Sequence, residues 1–206
     1  MIERMSRDRE VIIPAGKKGI AEIEHFTVTE DGARYHNLKN PREWISSGDY
    51  FKLLVNGELF MSNTDFERRT QREIMIFAFG DVLIFGLGIG LILPAILGND
   101  KVNSVTVVEL HQDVIDLVAP HLAHPSLKVY QGDARDWEPP NGEKYDYIYF
   151  DIWPDVCGDY YEQTIELHKR VRKFRRKGGE THSWCRDEMR ELHRAEASYF
   201  PFFAPR

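Results

Sequence analysis

Cysteine is nearly absent: the 206 residues hold two, Cys157 and Cys185. No disulfide framework can carry the fold, both thiols read as free, and a reducing compartment, the cytoplasm, is the expected location. Positive charge is in deficit, because 27 Lys and Arg stand against 33 Asp and Glu for a formal net charge of -6. That balance excludes a surface built throughout for nucleic acid, though not a local basic patch. Long hydrophobic runs are lacking too. The longest apolar stretch, residues 82–97, is interrupted by Gly86, Gly88, Gly90 and Pro94, and residues 1–16 are charged where an export signal needs an apolar core. Neither export nor a membrane span is expected. What is present is enough chain for one domain plus a small appendage, with a core that needs no metal or crosslink.

The chain changes character near residue 65. Before it, a short alternating run over residues 21–28 fits one strand, with Ile23 and Phe26 as its main apolar positions. Residues 50–55 and 58–62 then flank Asn56-Gly57, a dipeptide suited to positive φ at both centres of a tight turn, which predicts a β-hairpin. Asn63 or Thr64 can cap a charged helix over residues 65–79. After it, strands alternate with helical stretches: 82–85, 91–97, 105–108, 113–122, 127–130 and 145–150. Such alternation implies βαβ units and a parallel sheet. The short apolar and β-branched runs at 82–85 and 105–108 fit strands buried on both faces. A long helix from residue 159 to Lys177, stopped by Gly178-Gly179, and a fifth strand over residues 180–184 complete the expected pattern.

Four strand ends carry chemistry. The glycines of Val82-Leu-Ile-Phe-Gly-Leu-Gly-Ile-Gly-Leu91 lie after a strand and before a helix, where backbone without Cβ turns sharply and lets a ligand approach. On its own this is equally a packing turn. The second strand ends in Glu109, whose acceptor-only oxygens suit a ribose diol. A dinucleotide would want the third glycine where Leu91 stands, and Gly90 comes one residue early. Asp133 follows the third strand, placed to accept from an exocyclic amine of adenine, and Asp151 ends the fourth, across the switch point from the first.

On these residues, 82–155 resembles the class I S-adenosylmethionine-dependent transferases, and within them the spermidine synthase-like proteins, to whose N-terminal β appendage the Asn56-Gly57 hairpin and its lead-in helix are similar. The resemblance covers roughly residues 45–185. It implies an α/β fold: a Rossmann-like, mostly parallel sheet, shortened at its C-terminal end, with residues 1–64 as a β appendage and 65–206 as the cofactor-binding domain. It also implies that Gly86, Gly88 and Gly90 line the methionine part of S-adenosylmethionine, or of its decarboxylated form. Glu109 would take the ribose, Asp133 with Ala134 the adenine, and Asp151 would face the reacting end. Polyamine-forming members carry an acid inside the glycine loop, where Ile89 stands here, and a second aspartate at the place of Pro154. Their glutamine before the helix has no match near Phe60 and Met61.

Group transfer from a sulfonium relies on positioning and on a carboxylate that orients or deprotonates an amine. Asp151 and Asp155 are the candidates, with Trp153 as a wall; Asp155 reads equally as a turn residue after Pro154. The expected acceptor is a small molecule such as an amine, and methyl transfer is preferred to aminopropyl transfer. A cofactor-binding regulator without catalysis, and a lyase or hydrolase acting on the cofactor alone, stay open. Cys157, His182 and Cys185 match no metal spacing, so no metal is expected. The basic run from His168 to Lys177 reads first as a solvated helix face, with nucleic acid open as a less favoured substrate. No strands are expected after the fifth. The aromatic run Tyr199-Phe-Pro-Phe-Phe203, or a second copy of the chain in a homodimer, would cover that open edge.

Overall fold

The computed structural model describes residues 11–199. Two sheets share one hydrophobic core. The first is antiparallel, with order β1 (Gly16–Lys18), β2 (Ala21–Val28), β3 (Gly48–Val55) and β4 (Glu58–Ser62). The second has five strands, all parallel: β5 (Gly80–Phe85), β6 (Val102–Glu109), β7 (Leu127–Gln131), β8 (Tyr145–Phe150) and β9 (Arg175–Ser183), in the order β7-β6-β5-β8-β9. Strand order therefore reverses between β5 and β8, and a crevice opens at their carboxyl ends. Helices α1 (Glu30–Lys39), α2 (Asp65–Thr70), α3 (Arg72–Phe77), α4 (Leu93–Leu97), α5 (Gln112–Val118), α6 (Tyr160–Val171) and α7 (Arg186–Tyr199) connect and cover the strands.

The expected α/β architecture holds, with the parallel sheet ending at β9 among the described residues. Asn56 and Gly57 take φ of 55° and 82°, the positive values a two-residue hairpin requires. β8 occupies the residues expected of it because its apolar and aromatic run is bounded by polar turns on both sides. Ile23, Phe51 and Leu53 of the antiparallel sheet join Ile74, Val82, Ile84 and Tyr149 in one buried cluster. The β1–β2 turn is tied to α5, where the Ile20 N–H donates to Asp113 Oδ2 at 3.0 Å. Among the described residues, no helix is long and apolar enough to cross a membrane.

Four local expectations are corrected. The helix over 65–79 is two helices, broken at Gln71 with φ −91° and ψ 1°. Thr64 takes the N-cap position without a side-chain cap bond, while Asn63 Oδ1 instead accepts from the Phe51 N–H at 2.7 Å. The long helix does not reach Lys177: α6 ends at Val171, a 3-10 turn spans Arg172–Phe174, and β9 runs from Arg175 through Gly178-Gly179. Tyr145 pairs with Arg175 and Tyr147 with Glu180, so residues 176–179 bulge out of the ladder, with Gly178 at φ 85°. Charge made this segment look helical; pairing with β8 decides otherwise. Helix α1 was not expected, although Thr29 caps it by accepting from the Gly32 N–H at 3.1 Å. Residues 200–206 of the aromatic C-terminal run, and the charged residues 1–10, lie outside the described residues.

Candidate functional site

A cavity of about 790 Å³ opens at the carboxyl ends of the parallel strands. Each of β5, β6, β7 and β8 delivers a loop to it: Gly86 and Gly88, Glu109, Asp133 and Ala134, and Asp151. The antiparallel sheet and α2 add Phe60, Met61 and Glu67, and α6 adds Gln163, Glu166, Leu167 and Arg170. Gly86 is required by sterics, since a Cβ there would lie 2.0 Å from the Asp151 carbonyl oxygen. Gly90 and Asp155 are not lining residues. A Cβ at Gly90 would meet the Leu122 side chain at 2.3 Å, so its role is packing, and Asp155 is exposed on the β8–α6 loop. Of the two carboxylates expected to handle a proton, only Asp151 faces the cavity.

Asp151 is held by a buried relay. Gln71, fully buried, donates its amide to Asp151 Oδ2 at 2.7 Å and accepts from the Tyr149 hydroxyl at 3.1 Å. Burial raises the Asp151 carboxyl to about 6; the Gln71 hydrogen bond offsets part of the rise and the Glu109 charge adds to it. Glu67 lies one turn before Gln71. Burial, then the charge of Asp151, pushes its carboxyl to about 7, against a backbone N–H of Ser62 that stabilises the anion. Two carboxyl groups facing the same cavity thus titrate close to neutrality, a range suited to exchanging protons.

The other end is arranged for hydrogen bonding. Glu109, 7% exposed, accepts from the Leu87 N–H at 2.8 Å and the His111 N–H at 2.9 Å, one on each oxygen. It thereby holds the glycine loop against β6 while each oxygen keeps a second lone pair. Asp133 is forked by Arg135, with Nε and Nη2 at 2.7 to 3.0 Å, which holds its carboxyl below the usual range. Five side-chain donors are buried without a partner among the described residues, and two of them, Trp184 Nε1 and Arg170 Nη1, are on residues that line the cavity. Buried donors are seldom left so, and a ligand with acceptor atoms would satisfy them.

Other residues singled out from the sequence make contacts within the protein. His168 stacks on Phe150 and bonds Ser183 at 2.7 Å. Arg170 Nη2 reaches the Trp137 carbonyl, Lys173 pairs with Glu138, and Arg176 pairs with Asp81 and Asp146, while Arg172, Arg175 and Lys177 of the same run are exposed. His182 stacks on Tyr147 between Glu73 and Glu180. Among the described residues, no group of three or more His, Cys, Asp or Glu is placed to hold a metal ion.

Sequence reasoning missed Met61 as a contact to the loop and Glu67, Gln71 and Trp184 as residues of the site, and read Arg170 only as part of the basic run. One signal was available: Gln71, Ile74 and Ala78 share a helical face at i, i+3 and i+7, and all three are fully buried. A glutamine on an apolar face marks a buried polar contact.

No family model matches the sequence, and no curated protein is significantly similar to it. Solved structures match parts of the chain at low identity. A spermidine synthase from Thermotoga maritima is 18% identical, with 75% of this chain and 52% of that one covered and a TM-score of 0.44. An S-adenosylmethionine-dependent methyltransferase from Clostridium acetobutylicum is 19% identical, over 57% of this chain and 46% of that one, with a TM-score of 0.38. Human methyltransferase-like protein 13, in complex with SAH, is 20% identical over 53% and 55%, with a TM-score of 0.39. The chain spans about half the length of the structures it matches.

Proposed function

We propose that this chain binds S-adenosylmethionine in the cavity above β5, β6, β7 and β8 and transfers its methyl group to a small-molecule acceptor, an amine. The observation that carries the reading is the convergence of Gly86, Gly88, Glu109, Asp133, Ala134 and Asp151, from four strand ends, on one cavity. The donor set fits such a ligand. Glu109 has lone pairs left for a diol, Asp133 with Ala134 lies where adenine would be read, and Trp184 Nε1 and Arg170 Nη1 await acceptors.

When bound, the sulfonium supplies an electrophilic methyl carbon and a neutral leaving group. The chain's own contribution is position and proton control. Gln71 fixes one oxygen of Asp151, leaving the other to orient an ammonium acceptor and take its proton. Phe60, Trp153 and Trp184 wall the same space, where they exclude water and can face a cation. Cytoplasmic location remains part of this reading.

Aminopropyl transfer from the decarboxylated cofactor is the second reading. The contribution of Phe60 and Met61 by the appendage, and of Glu67 by the helix that follows it, favours it. Ile89, 2% exposed where that chemistry wants an acid, weighs against it. Calorimetric titration with S-adenosylmethionine, its decarboxylated form and methylthioadenosine separates the two, run beside Glu109→Ala and Asp133→Ala. Binding of the intact cofactor that both variants weaken supports methyl transfer, and preference for the decarboxylated form supports the second reading. If none binds, the loop is only a turn. Binding without transfer to any amine would leave a regulatory protein.

A further inference from the structure

The hairpin carries an irregularity directly beside the cavity. Leu53 of β3 pairs with Met61 and Leu54 pairs with Leu59, which leaves Phe60 without a counterpart. An extra residue bends and twists a strand and re-aims its side chains. Here it accompanies a contact between the hairpin and the glycine loop of the other sheet: Met61 Sδ accepts from the Ile89 N–H at 3.2 Å. A Cβ added to Gly88 would lie 2.1 Å from that sulfur, and Gly88, with φ +50°, lines the cavity beside Met61. The space left by the missing Cβ is therefore filled by the protein's own thioether, and a loop N–H that a ligand would use already has a partner.

That partner is easily displaced. A thioether is a weak acceptor on a side chain with three rotatable bonds, whereas a carboxylate forms a charge-assisted bond to the same N–H. We propose that Met61 is a movable plug on the glycine loop that competes with the amino-acid tail of the cofactor. It thereby sets how strongly the site distinguishes tail-bearing ligands from nucleoside thioethers that lack a tail. The inference rests on the cofactor reading above. Methylthioadenosine has no α-amino-acid tail and leaves the plug in place; S-adenosylhomocysteine must move it.

The test is calorimetric titration of wild type and Met61→Ala with S-adenosylhomocysteine and methylthioadenosine. The expected result is that the ratio of the two dissociation constants shifts toward S-adenosylhomocysteine by on the order of fivefold in the variant, the scale of one weak contact. A ratio unchanged within experimental error, with both ligands binding both proteins, overturns the plug and leaves the cofactor reading intact. Binding of neither ligand to either protein overturns the cofactor reading, and the plug with it. Should Met61→Ala fail to fold, wild type labelled with [methyl-13C]methionine gives the same decision. The Met61 methyl signal, assigned by its loss in Met61→Leu, should move with S-adenosylhomocysteine and stay with methylthioadenosine; equal movement with both overturns the proposal.

Discussion

At the amino-terminal end of the parallel sheet, two neighbouring carboxylates share an arginine, while at the opposite end two others face a cavity with no paired cation among the described residues. Arg176 Nη1 reaches both Asp81 Oδ2 and Asp146 Oδ2, the Ser104 hydroxyl donates to Asp81 at 2.7 Å, and the Asp81 N–H donates to Asp146 at 2.8 Å. Burial works against the Asp81 anion, but Ser104 and Arg176 outweigh it and hold the carboxyl low. Glu67 and Asp151 have a buried glutamine and a backbone N–H instead, and burial raises both. Where a cation is supplied, Asp81 is held in the ionised state and the Asp81–Arg176–Asp146 cluster serves as a clamp. Where it is withheld, the carboxylates stay near neutrality and open to a ligand.

The comparison can be broken most forcefully at Asp151. Asp151→Asn should lower transfer by about 10²- to 10⁴-fold, the range for losing a general base, with cofactor affinity changed only a few-fold. Single-turnover rates beside calorimetry check this, and an unchanged rate would make Asp151 a structural residue. Next comes its support. Gln71→Leu leaves the Tyr149 hydroxyl and the Asp151 carboxyl unpartnered, and should destabilise the fold by roughly 3 kcal/mol, since each orphaned buried group costs about 1–3 kcal/mol. Urea unfolding reads that loss directly.

A smaller effect sharpens the contrast through pH. Glu67 and Asp151 have folded values above those of the unfolded chain, so their contribution is present below the unfolded carboxylate range and is lost as pH rises through about 6 and 7. His168 acts in the opposite sense. Burial, then the charges of Arg186, His182 and Arg175, lowers it from 6.5 to about 4, so its contribution is present above 6.5 and lost as pH falls through about 4. Glu67→Gln should therefore flatten the fall in stability up to pH 7 by about 1–2 kcal/mol and leave unchanged the acid limb, to which His168, Asp81 and Asp133 contribute. Unfolding midpoints at half-unit pH steps measure it, and a wild-type slope in the variant would contradict the assignment. Arg176→Ala is the smallest. Its partly exposed pairs are worth about 1 kcal/mol or less, and the difference from wild type should shrink in high salt and at acid pH, where Asp81 is protonated in both.

The strands of the parallel sheet were legible because burial on both faces demands apolar, β-branched or aromatic runs, as in Val105, Val107 and Val108 or Tyr147 to Phe150. β9 was legible only at its end. Its first residues, Arg175 to Lys177, are exposed and basic, and nothing in such a run distinguishes a helix terminus from a strand until β8 offers a partner. The candidate site was readable where chemistry coincides with strand ends, at Gly86, Gly88, Glu109, Asp133, Ala134 and Asp151. It was harder to read where helices contribute: Glu67 and Gln71 sit among charged neighbours, and only the spacing of Gln71 with Ile74 and Ala78 marks the face that turns inward.

The sequence by itself determined the alternation of strands and helices, the hairpin at Asn56-Gly57, and the glycines and acids at the strand ends, since each follows from local sterics or periodicity. Tertiary structure alone decided that the broken helix at Gln71 grips Asp151, that Met61 enters the glycine loop, and that Lys173 and Arg176 of the basic run pair with Glu138, Asp81 and Asp146. Those are contacts between distant segments. Whether a buried polar group finds its partner depends on how two sheets pack, and no local pattern carries that information.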